Sequence, residues 1–236
     1  MTAVGADASA PTGFDLASAV ARLVAGLMLF AQLFPVNPVG WIGETAVVFL
    51  LLLSGFTLTP SESFHRARFP LLIPLFVLTI LGLLFVPASR EGGLAWLVAA
   101  YALGYACFPY VARALTKKSG KELVFAALGC SAAIKVFAAL ALIEGIPAWL
   151  AAFAQYSPFS RLPLFILGMV AAEAVRRGWR MPGGPVLAAA TLVLGWLLTA
   201  VFVGPPSGPG DVGVFQIAEM ITLPGHALVV MALRRR

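Results

Sequence analysis

The chain is written in long apolar runs separated by short polar breaks. Eight runs of helix-spanning length lie at about 17–36, 43–60, 70–87, 94–112, 122–142, 161–175, 185–203 and 213–232. A helix of about 20 apolar residues matches the hydrocarbon thickness of a bilayer. The breaks are turn formers: Pro35, Pro38 and Gly40; Gly92-Gly93; Ser119-Gly120; Pro182 to Pro185; and the stretch from Gly204 to Gly210. The pattern predicts an all-α, polytopic integral membrane protein with about eight transmembrane helices in a single membrane domain over 1–236. It contains no internal repeat and no soluble module. One segment between spans, Ile146–Tyr156 (IPAWLAAFAQY), predicts a short interfacial helix.

Composition agrees with this reading. Hydrophobic residues make up 61% of the chain, charged residues 11%, and the mean hydropathy is +0.96. Soluble domains carry about 25% charged residues. The net charge of +6 does not point to nucleic acid, because the basic residues follow topology and form no basic face. With the N-terminus inside, the cytoplasmic segments hold twelve of the sixteen Lys and Arg: Arg66, Arg68, Arg113, Lys117, Lys118, Lys121, Arg176, Arg177, Arg180 and Arg234 to Arg236. The outer loops hold Arg90 and Arg161. That asymmetry predicts cytoplasmic N- and C-termini. The first 16 residues lack a basic segment and carry two acids, so the first span reads as an uncleaved insertion signal.

Ionisable groups inside spans are functional candidates by default. Arg22 sits in the first turns of span one. Lys135 sits mid-span, where insertion costs about 2.5–3.5 kcal/mol, so it is expected to avoid lipid and to bind an anion or pair with a carboxylate, Glu219 being the best candidate. Glu173 is expected to pair with Arg176 or Arg177. Glu219 and His226 are seven residues apart and share a helix face, with Pro224-Gly225 placed to open the helix between them. They read either as a structural hydrogen-bonded pair or as a proton relay. His65 reads as a solvated loop residue. Cys107 and Cys130 lack metal-ligand spacing, and no nucleotide loop, metal cluster or serine-hydrolase elbow is present, so no metal site is assigned.

Three segments carry a family resemblance. Phe49–Thr59 (FLLLLSGFTLT), followed by Arg66 and Arg68, resembles the second-helix signature of the family-3 membrane acyltransferases. Ser157–Met169 (SPFSRLPLFILGM) resembles that family's Arg-Leu-Pro-Glu-Phe-x-x-Gly-Met segment, matching at Arg161, Leu162, Pro163, Phe165, Gly168 and Met169. Tyr101–Tyr110 (YALGYACFPY) has the shape of the family's Trp-Ser-Leu-x-x-Glu-x-x-Phe-Tyr, with Leu103 and Tyr110 in place. The resemblance covers roughly residues 17–177.

The resemblance implies transfer of an acyl group, often acetyl, to a hydroxyl of an envelope glycan or lipid-linked acceptor at the bacterial cytoplasmic (inner) membrane. The donor would be acyl-CoA arriving from inside, with no bound cofactor. Arg66 and Arg68 could attract its phosphates, although topology alone accounts for the same charges. The positions matching the catalytic ones are Arg22, Gln32 and Arg161. The family keeps a His, held to be the base, near the place of Gln32, and Gln cannot take a proton. Ala106 and Leu164 stand where the family has carboxylates, and about eight spans stand where it has about ten. The expectation is therefore a degenerate or truncated member that transfers acyl groups very slowly or not at all alone. The alternatives are a non-catalytic protein acting with a partner chain that supplies helices, or a small transporter with Lys135, Glu219 and His226 along its path.

Overall fold

The computed structural model describes residues 41–58, 95–179, 183–202 and 212–232. The described residues form helices and turns, with no strand among them. We number the helices α1 (Trp41–Thr57), α2 (Ala95–Thr116), α3 (Gly120–Leu142), α4 (Ala148–Tyr156), α5 (Pro158–Arg176), α6 (Gly184–Phe202) and α7 (Val212–Ala232). The expected spans at 17–36 and 70–87 lie outside the described residues.

Among the described residues, three stretches are long and apolar enough to cross a membrane: Gly120–Leu140, Ala148–Arg176 and Gly184–Phe202. They sit very differently in the bundle. The Ala148–Arg176 stretch is largely buried, whereas Gly120–Leu140 and Gly184–Phe202 leave most of their surface outside. Helix α5 is the axis, packed against α1, α2, α3 and α7. Helix α6 lies on α7, and α4 lies on α3.

Local sequence explains the helix ends. Ser119 accepts from Glu122 N–H, and the Glu122 carboxylate accepts from Ser119 N–H at 2.7 Å, a complete capping box that starts α3 after the three-residue turn that follows α2. Helix α5 begins at Pro158, three residues before the expected boundary. Ser157 is its N-cap and Pro158 occupies the first turn, where its missing N–H costs nothing. At the other end, Gly178 takes φ +87°, its N–H bonds Val175 O, and Trp179 N–H bonds Ala174 O. This is a Schellman closure, which needs the left-handed conformation that glycine adopts freely.

Between apolar helices in lipid there is little hydrophobic drive, so close van der Waals contact must supply the association. Glycines permit it here. A Cβ on Gly55 would collide with the Phe165 carbonyl, and a Cβ on Gly168 would collide with the Leu52 carbonyl. Helices α1 and α5 therefore cross backbone to backbone. On α7, a Cβ on Gly225 would lie 2.6 Å from Leu192 Cα, which seats α6 just as closely. Around the first crossing, Val47, Val48, Leu51, Leu52, Leu53 and Leu164 form the apolar core.

Candidate functional site

The most deeply placed charges are Arg161 on α5 and Glu219 on α7, 5% and 3% exposed. The guanidinium donates to the carboxylate across the bundle. The early start of α5 puts Arg161 in its first turn and inside the protein. This corrects the expectation of an outer-loop residue. A cation there opposes the positive end of the helix dipole, so it needs a carboxylate, and Glu219 supplies one. Ser157 and Ser160 are buried beside it in sequence. Ser160 Oγ donates to the Ser157 carbonyl at 2.7 Å and Ser157 Oγ accepts from Phe159 N–H at 3.1 Å, so both hydroxyls serve the local turn.

The expected pairing of Lys135 with Glu219 does not occur. Glu219 is held by Arg161, and Lys135 is exposed on α3 with no ion-pair partner among the described residues. The cause is angular. Leu123, Ile134 and Ala138 are the buried residues of α3 among those described, and Lys135, one residue past Ile134, is turned about 100° away.

His226 is 3% exposed and lies two turns beyond Glu219 on α7. Its Nδ1 is 2.9 Å from Thr222 O. A carbonyl only accepts, so Nδ1 carries the proton and Nε2 the lone pair. The ring packs at 5.8 Å against Phe49 of α1. Helix α7 continues without interruption through Pro224 and Gly225, so the expected opening is absent. The Glu219 carboxylate turns to Arg161 and the His226 Nδ1 to its own helix, which favours a structural role for both over a Glu–His relay.

A second charged group closes the other end of α5. Glu173 binds both Arg176 and Arg177, as expected, with Arg177 Nε donating to it at 2.7 Å. The same Arg177 donates to Lys118 O at 2.5 Å, Leu115 O at 3.0 Å and Thr116 O at 3.3 Å. Leu115 O and Thr116 O lie in the last turn of α2 and Lys118 O in the turn that follows, where the regular helical donors run out. The sequence reading missed this clamp. Charge order along the chain announces only the Glu173–Arg177 half of it.

The three segments that carry the family resemblance meet at one place. Gly55 of the first lies against the Phe165 backbone. Gly104 of the second lies against the Phe165 ring, where an added Cβ would come within 2.7 Å. Tyr105 stacks obliquely on the same ring at 5.9 Å. Phe165 and Gly168 belong to the third. Leu164, at the family's acidic position, is fully buried in apolar surroundings, and Ala106 is half-buried. Arg22, Gln32, His65, Arg66 and Arg68 lie outside the described residues.

No protein-family model, curated protein or solved structure matches the chain.

Proposed function

We propose that the chain is an acyltransferase-like integral membrane protein of the bacterial cytoplasmic membrane. It would move an acyl group, acetyl in the simplest case, from acyl-CoA to a hydroxyl of an envelope glycan or lipid-linked acceptor. One observation carries the reading. The segments 49–59, 101–110 and 157–169, which resemble one family on sequence, pack around Phe165 and Gly168, although they come from α1, α2 and α5.

The chemistry is slow in this reading. A positioned general base contributes about 10²–10⁴-fold, and Gln32 offers none. Glu219 is held by Arg161, so it supplies no free base either. The test is transfer of label from acetyl-CoA in membranes containing the chain, with the Gln32→His variant and empty vector beside it. The reading expects label above vector and no gain from Gln32→His.

A second reading, a non-catalytic membrane protein that works with a partner chain, is favoured by one observation. The buried Arg161 guanidinium and Glu219 carboxylate are paired with each other. Absence of transfer from folded protein would select this reading.

A further inference from the structure

Helix α3 has two faces. Leu123, Ile134 and Ala138 are buried against the bundle. On the other side Phe125, Leu128, Ala132, Lys135, Ala139 and Leu142 are all exposed. Their spacing runs three, four, three, four, three, which is the seam one helix presents to another in left-handed packing. Ala132 and Ala139 flank Lys135 along the seam, so a neighbouring backbone can approach on both sides of it.

Lys135 is deep. Glu122 and Glu144 bracket the apolar part of α3, and Lys135 is nine residues from Glu144, about 14 Å along the axis. A four-carbon stem cannot carry the ammonium that far to water. Pairing with a carboxylate neutralises an ammonium at that depth. Among the residues whose side chains are described, the buried carboxylates are taken: Glu219 by Arg161, and Glu173 by Arg176 and Arg177. The apolar segments 17–36 and 70–87 contain no Asp or Glu. A second copy meeting this one through the same face would set Lys135 against Lys135.

We propose that the Leu128–Leu142 seam of α3 docks a transmembrane helix of another protein that carries an Asp or Glu at the depth of Lys135. The inference is independent of acyl transfer.

The experiment uses the purified chain in phosphatidylcholine vesicles and three synthetic Leu/Ala transmembrane helices. These differ only in a Glu, Gln or Leu about eight residues from the outer end, and association is read by energy transfer. The chain should bind the Glu helix at least about tenfold more tightly than the Leu helix. Lys135→Leu should abolish that preference, and Lys135→Glu should transfer it to a Lys-bearing helix. Ala132→Phe, which blocks close approach while keeping the charge, should weaken binding of the Glu helix. Gain of the Lys-helix preference cannot come from misfolding, so it protects the test against a damaged variant. Equal binding of the three helices, or a Glu preference that survives Lys135→Leu, would overturn the proposal.

Discussion

Gly55 and Gly168 each face a carbonyl of the other's helix: Gly55 meets Phe165 O and Gly168 meets Leu52 O. This reciprocal contact joins α1 to the central helix, and it joins two of the three segments on which the functional reading rests. The crossing has no room for a methyl group on either side.

Substitution should show this directly. Gly168→Leu and Gly55→Val force the backbones apart, with an overpacking cost of about 1–3 kcal/mol or more. Thermal unfolding in detergent should shift down clearly for each. Gly129, with nothing near an added Cβ, is the control. Gly129→Ala should be neutral or raise stability by up to about 1 kcal/mol through helix propensity. Equal losses at all three positions would contradict the crossing.

The Arg161–Glu219 pair predicts strong non-additivity. Removing one partner leaves a buried charge uncompensated, at about 3–5 kcal/mol, whereas replacing both with apolar residues is far milder. Arg161→Leu and Glu219→Leu should each destabilise the bundle sharply, and the double variant should recover most of the loss. Lys135→Leu, by contrast, should add to Glu219→Leu without coupling. A double-variant cycle on detergent melting temperatures measures both relations. Additive Arg161 and Glu219 effects would exclude the pair.

How much of this was legible beforehand varies by residue, for physical reasons. The helices α1 to α3 and α5 to α7 overlie apolar runs and turn formers, which are local signals. Pairing of Glu173 with Arg176 and Arg177 is also local, since residues three and four apart meet on a helix. The Arg161–Glu219 contact spans 58 residues, and no periodicity within either helix announces it. Glu219 read as the best intramembrane carboxylate for Lys135, but the side of α3 that faces inward decided otherwise. The placement of Arg161 was readable in principle: Ser157-Pro158 is an N-cap followed by a helix-starting proline, and it moves the start of α5 past Arg161. Convergence of the three resembling segments on Phe165 is a tertiary fact that sequence order does not contain.

The Arg177 clamp predicts a local effect. Arg177→Ala removes the donor that serves Leu115 O, Thr116 O and Lys118 O, and it leaves Glu173 with Arg176. Hydrogen exchange should speed up around residues 112–119 with little change in α6 and α7. Arg177→Lys should restore the effect only in part, because a point charge cannot fork to several carbonyls. Uniform exchange across the bundle would mean that Arg177 acts globally.

Topology yields a fourth prediction. Reporter fusions after residues 66, 118, 180 and 236 should report cytoplasm, and fusions near 40, 90, 152 and 208 the outside. Position 118 is the informative one, because Lys117, Lys118 and Lys121 cluster at the α2–α3 turn that Arg177 clamps. An outside signal there would reverse the bundle and remove the cytoplasmic approach assumed for acyl-CoA.

Acyl transfer to a hydroxyl can be followed as transfer of label. Membranes containing the chain are incubated with radiolabelled acetyl-CoA, and alkali-labile label in the envelope fraction is compared with empty-vector membranes. Gly168→Leu serves as a variant in which the meeting point of the three segments is broken. The account predicts slow incorporation above vector for the wild type, the same slow rate for Gln32→His, and loss of incorporation for Gly168→Leu. No incorporation above vector from wild-type protein that melts cooperatively in detergent would contradict it.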